Sequence, residues 1–234
     1  VLVEKEHHLY ILEISAMESY GSNSLEGLLQ KSYTVKIGEY VGSGWETFKK
    51  NAGGFVGFTI VLFLINIALA KINESASPVG SLISLLISGP LNAGFLIVAF
   101  KVLRHRETAF GDFFRGFNNY LPLFLVSLVS GVLIGLGFLL LIIPGIYLAV
   151  AYTFALPLVL EKKMNFWDAM EFSRKLISKN WFSFFGFAFV LVLINFAGAL
   201  LLGVGLLVTI PLSVGAIAAA YADIVGLPST SSDL

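Results

Sequence analysis

Catalysis needs clustered ionisable or nucleophilic groups, and this sequence offers few. Its histidines are His7, His8 and His105. His7 and His8 could ligate a metal, but two neighbours near a chain end are more often simply solvated. Ser127, Ser130 and Ser213 would need a base to become nucleophiles. No Asp, Glu, Lys, Arg or His occurs in Tyr120–Leu160 or in Asn180–Ala222, the blocks that hold them. Cysteine is absent, which removes thiolate metal sites, thiol nucleophiles and disulfides. No glycine-rich phosphate loop precedes a Lys-Ser or Lys-Thr pair. The expectation is therefore a non-enzymatic protein with no catalytic, cofactor-binding or metal site. Net charge is +0, so nucleic acid is not an expected partner.

The polar groups that remain lie inside apolar runs. Asn66, Asn92 and Asn195 could hydrogen-bond between helices as structural glue, at about 0.6–2 kcal/mol each. Alternatively they could line a path for a neutral or apolar solute. Asp223 is the one acid near a run, at its very end, where an interfacial contact is expected. An ion-coupled carrier usually keeps a charge within the membrane, and none is placed there.

The elements that must position these residues follow from composition. Of 234 residues, 57% are hydrophobic and 13% charged, with a mean hydropathy of +0.86. A water-facing domain carries about a quarter charged residues, so this chain cannot cover itself against water. Crossing roughly 30 Å of hydrocarbon takes about 20 apolar residues. The two long uncharged blocks each suit a helical hairpin, and 52–70 and 75–100 suit single spans. Strict alternation, the mark of a membrane barrel, is missing from runs such as Phe138–Ile143. The predicted fold is all-α integral membrane, with six spans near 53–71, 79–100, 121–142, 146–160, 181–202 and 205–223.

Those spans place fourteen of the 15 Lys and Arg residues on one side and only Lys71 on the other. The positive-inside rule then assigns both termini to the cytoplasm. Lys49, Lys50, Arg104, Arg106, Lys162, Lys163, Arg174 and Lys175 are candidate contacts for anionic headgroups, or they only set topology. Trp45, Trp167 and Trp181 are candidate interfacial anchors. Residues 1–36 form a polar cytoplasmic segment, 37–225 the membrane domain and 226–234 a short polar tail. Within the first, Ser22–Ser24 could cap a short helix and Tyr33–Ile37 could be extended. The first residues are too charged for a signal peptide. The chain starts at Val1 rather than Met, so a native N-terminus that is missing or processed is expected.

An amphipathic helix is expected from Ile37, because Ile37, Tyr40, Val41, Gly44, Trp45 and Phe48 share a face. It should lie among headgroups or pack on protein. Asn165 and Asp168 fit the capping pattern of another such helix, with Phe166, Ala169, Met170, Leu176 and Ile177 on one face. Phe110–Phe117 is a shorter version. Val61–Ala68 and Val190–Ala197 match at six of eight positions, including Asn66 and Asn195. Pro90–Gly94 parallels Pro211–Gly215. Pro90, Pro144 and Pro211 are each followed ten residues later by an aromatic: Phe100, Phe154 and Tyr221. The expected plan is three pseudo-repeats of amphipathic helix plus membrane hairpin around a shared centre.

The run Ile143–Leu148, then Phe154–Glu161, then Ala169-Met170 and Ser173-Arg174 before Asn180-Trp181, resembles a broad group of bacterial membrane proteins. These include the YciC-like inner-membrane proteins and the membrane domain fused to some glycerophosphoryl diester phosphodiesterases. The resemblance covers roughly 37–225 and implies a six-helix domain of a bacterial cytoplasmic membrane. It implies no catalytic residues, since the diesterase chemistry belongs to a separate soluble domain. The functional expectation is an accessory, assembly or scaffold subunit that binds membrane lipids or joins a larger membrane-protein complex. The alternatives are the solute path above and a membrane anchor for a separately encoded enzyme.

Overall fold

The computed structural model describes residues 26–74 and 79–227. His7, His8, the Ser22–Ser24 cap and most of the C-terminal tail lie outside the described residues. The chain divides into two units, with the boundary after Thr34. In the first, 26–30 is helical. The stretch Tyr33–Ile37, expected to be extended, forms no strand: 32–36 is irregular and Ile37 opens a helix.

The second unit runs α1 (Ile37–Lys50), α2 (Ala52–Glu74), α3 (Val79–Leu103), a 3-10 helix (Phe110–Asn119), α4 (Tyr120–Leu140), α5 (Ile142–Ala151), α6 (Ala155–Lys162), α7 (Phe166–Ser178), α8 (Trp181–Leu200) and α9 (Leu206–Ile224). No strand occurs among the described residues. Six helical stretches are long and apolar enough to cross a membrane, and they make this an integral membrane protein. The third joins the 3-10 helix to α4 and the fourth joins α5 to α6. The second, fourth and sixth spans are 56%, 44% and 50% buried, against 22%, 17% and 22% for the others. The even-numbered spans therefore form the inner layer, and the odd-numbered spans turn their apolar faces outward.

Two irregularities in the inner spans have identifiable causes. Pro90 lies within α3 and has no N–H to offer the carbonyl four residues back. That carbonyl, on Leu86, instead accepts the Tyr120 hydroxyl at 3.1 Å. The fourth span breaks at 152–154, just ahead of Pro157. Buried Ser173 of α7 satisfies the break from both sides: its hydroxyl donates to Ala151 O at 2.7 Å and accepts the Phe154 N–H at 3.1 Å. Ser173→Ala leaves both backbone groups without this partner and is expected to cost about 1–3 kcal/mol. Reversible unfolding in mixed micelles measures it, and an unchanged midpoint contradicts the role.

The three amphipathic elements sit at the basic end of the bundle, each on an inner span. α1 rests on α9 with Tyr40, Gly44, Thr47 and Phe48 buried. A Cβ on Gly44 would lie 2.5 Å from the Leu212 carbonyl oxygen, so the backbones touch. Much of the α1 apolar stripe is thus covered by protein, while Trp45 stays 42% exposed. The segment from Phe110, expected as a short amphipathic α-helix, is a 3-10 helix packed on α3. At three residues per turn, Phe113 and Gly116 eclipse on the buried face, with Gly111, Phe114 and Phe117 on the exposed one. α7 packs on α5 and α6, and Asn165 caps it by accepting the Asp168 N–H at 3.0 Å.

Candidate functional site

The matched asparagines start from the same local geometry. Each amide donates to the carbonyl one turn back, Asn66 to Leu62 O and Asn195 to Leu191 O, both at 2.8 Å. Beyond that they differ. Asn195 also donates to Ser213 Oγ at 2.7 Å, and Ser213 donates on to Thr209 O at 2.8 Å. This chain ties α8 to α9, the glue role. Asn66 instead faces a groove of about 210 Å³ between α2 and α3 that it shares with Asn92, Ser84 and Ser88. Asn66 and Asn92 come together, and Asn195 is excluded from their groove. The three do not line one path.

At the basic end, the three aromatics that follow a proline by ten residues meet. Phe100, Phe154 and Tyr221 are fully buried, with Tyr221 5.5 Å from each of the other two rings. Beside them, Arg104 at the C-terminal end of α3 forms a two-pronged ion pair with Glu161 of α6. One hydrogen bond is 3.2 Å, Nη1 to Oε1, and the other joins Nη2 to Oε2. The side chains are 10% and 2% exposed. Arg104, expected at lipid headgroups, is therefore an internal residue. It lies inward because Glu161, the first charge after the long apolar block, needs a compensating cation. The Arg104 Nε–H and the Tyr221 hydroxyl are buried without a hydrogen-bond partner. Sequence reading missed this pair; the signal was opposite charges at the ends of two inner spans. A second pair, Lys101 to Asp112 at 2.7 Å, fastens the 3-10 helix to α3, and Asp112 also accepts the Ala109 N–H at 2.7 Å.

The remaining expected headgroup contacts divide by partner. Lys49 pairs with Glu46 at 2.7 Å and stands 5.9 Å from the Trp45 ring centre. Arg174 and Lys175 share Glu171, at 2.7 and 3.4 Å. The Arg174 hydrogen bonds hold the Glu171 carboxyl below its usual range, against partial burial. Lys50, Arg106 and Lys163 are exposed and Lys162 is half-buried. Trp167 is exposed. Trp181 is half-buried, stacked on Tyr147 at 6.1 Å.

Asp223 joins α9 to α1, accepting the Tyr40 hydroxyl at 2.7 Å and pairing with Lys36 at 3.4 Å. The charge of Asp223 raises the Lys36 pKa, while burial, then the bond to Asp223, raises that of Tyr40. His105 is exposed. No group of three or more His, Cys, Asp or Glu side chains able to hold a metal occurs among the described residues. No protein-family model, no curated protein and no solved structure matches the chain.

Proposed function

We propose that this chain is a non-enzymatic membrane subunit of accessory or scaffold type whose basic end binds anionic lipid. One observation carries the reading: all three elements at that end turn aromatic and basic side chains outward together. α1 presents Trp45 with Lys49 and Lys50, the 3-10 helix presents Phe110, Phe114 and Phe117 with Arg115, and α7 presents Trp167 with Lys175. Trp settles at headgroup depth, Phe inserts from the apolar face of an interfacial helix, and each nearby cation adds about 1 kcal/mol on an anionic surface. Contacts with Glu46, Asp112 and Glu171 draw on Lys49, half-buried Arg115, Arg174 and Lys175. Lys50 and Lys163, which lie outside those pairs, carry the most weight.

On this reading the basic end is cytoplasmic, as the charge asymmetry requires, and the membrane is the bacterial inner membrane of the resembled families. A threefold repeat accounts for the docking order. Each amphipathic element rests on the inner span of the preceding hairpin, and α1 closes the circle on the last one. A path for solute along the centre is disfavoured by the buried Phe100, Phe154 and Tyr221 and the Arg104–Glu161 pair beside them.

The test compares the full chain and the double variant Lys50→Glu, Lys163→Glu in nanodiscs that mix phosphatidylglycerol with phosphatidylcholine. Lipids retained on release are counted by native mass spectrometry. The native chain should retain phosphatidylglycerol preferentially, and the variant should lose about fivefold of that preference per charge. Lys71→Glu, at the opposite end, should leave it unchanged. Equal retention of both lipids by the native chain would refute the reading.

A further inference from the structure

The hairpins α2–α3 and α8–α9 begin from matching sequences and end with different interiors. Aligned on Asn66 with Asn195 and on Pro90 with Pro211, the positions of Asn92 and Ser213 correspond, as do Leu69 with Gly198 and Ser84 with Gly205. In α8–α9, Gly198 and Gly205 let the backbones touch: a Cβ on Gly205 would lie 2.6 Å from the Gly198 carbonyl oxygen. That approach brings Asn195 within hydrogen-bond reach of Ser213. In α2–α3 the same two places hold Leu69 and Ser84, so side chains stand where the other hairpin has backbone contact. The space between them is the groove of about 210 Å³, and Leu69 and Ser84 both line it.

The groove's polar lining is left with unused hydrogen-bonding capacity. Asn66 spends one N–H on its own helix, Ser88 bonds back to Leu85 O at 3.1 Å, and the exposed Asn92 amide makes no hydrogen bond among the described residues. Asn66 lies fourteen residues into α2 and Asn92 thirteen into α3, roughly 20 Å along each helix, which is within the hydrocarbon. There, idle amides cost several kcal/mol unless a partner meets them. Asn66, Ser84, Ser88 and Asn92 are all neutral and can both donate and accept. Leu62, Ile65, Leu69, Ile87 and Leu91 supply apolar walls.

Building on the reading of the chain as a lipid-binding subunit, we infer that this groove is a second lipid site, one that holds the glycerol–ester segment of an amphiphile. Ester carbonyls and a glycerol hydroxyl match the four side chains, the acyl chains match the leucines and isoleucines, and a charged group finds no counter-charge in the lining. The ester carbonyls can come from a diacylglycerol or a phospholipid, while the free glycerol hydroxyl belongs to the diacylglycerol alone.

Because the chain has no cysteine, Ser84→Cys places a single thiol in the groove. Its rate of alkylation by N-ethylmaleimide is followed in maltoside micelles of the full chain, with dioleoylglycerol, dioleoylphosphatidylcholine or hexadecane added. Either lipid should slow alkylation about fivefold or more, the factor that one hydrogen bond supplies, and hexadecane should not. Protection by the diacylglycerol alone would assign the ligand as uncharged, and protection by both would assign it to bulk lipid. No protection by either lipid, or equal protection by hexadecane, would overturn the site.

Adding Asn92→Leu should abolish protection without unfolding the protein, because Asn92 holds no internal bond; retained protection in that folded variant also overturns the site. Lys50→Glu with Lys163→Glu should leave protection intact. Failure at the groove is thereby distinguished from failure at the basic end.

Discussion

Glu161→Ala should be among the most damaging single substitutions in this protein, lowering stability by about 3–5 kcal/mol. The loss does not come from a pair that is strongly stabilising in itself. Desolvating two charges offsets most of their attraction, so a buried ion pair contributes little relative to well-packed apolar residues. The damage arises because Arg104, with its side chain 10% exposed, is left as an uncompensated cation among Phe100 and its neighbours. Arg104→Met combined with Glu161→Leu should therefore recover most of the loss. Reversible unfolding in mixed detergent micelles, run as a double-mutant cycle, measures both. A single-variant loss below about 1 kcal/mol would place the pair in water rather than in the interior.

Gly94→Ala should also be among the damaging changes. A Cβ on Gly94 would overlap the Phe113 carbonyl, and one on Gly116 would overlap the Pro90 carbonyl, so the 3-10 helix and α3 are in backbone contact at two points. A side chain could rotate away from a new methyl group, but a carbonyl held in a helix cannot. The 3-10 helix must then lift off α3 and strain the Lys101–Asp112 bond. About 1–3 kcal/mol is expected from overpacking. Gly53→Ala is the control, since nothing lies within 4 Å of its added Cβ. It should be neutral or gain up to about 1 kcal/mol through helix propensity. Limited proteolysis after Arg104 or Arg106 should accelerate in the Gly94 variant and not in the control. Equal behaviour of the two would mean that the 3-10 helix is not seated on α3.

The spans were legible in the sequence because hydrophobic length is a local, one-dimensional property. Ala52–Ile72 and Trp181–Leu200 can be located without knowing what they touch. The amphipathic stripe of α1 and the Asn165 cap were equally legible, since each involves residues within a few positions of one another. The character of the 3-10 helix was not. Its period follows from the need to bring Phe113 and Gly116 together onto α3. Pro157 marks a break in the fourth span by sequence alone, but its closure was hidden, because Ser173, which satisfies it, comes from a different helix.

Arg104 shows the boundary most directly. By sequence it is one of several cations at the end of a span, interchangeable with Lys50 or Lys163. In the fold it faces Glu161, 57 residues away, and leaves the surface. The paired asparagines show it again. The octapeptides around Asn66 and Asn195 are nearly the same, and both amides make the same bond to their own helix. One then closes onto Ser213, where Gly198 and Gly205 bring the backbones into contact, and the other faces a groove lined by Leu69 and Ser84. Local sequence by itself determined which segments are helical and which can cross a membrane, since those depend on the chain's own hydrogen bonds and apolar length. The tertiary structure alone decided which polar groups are satisfied, because that depends on how closely two separate helices can approach.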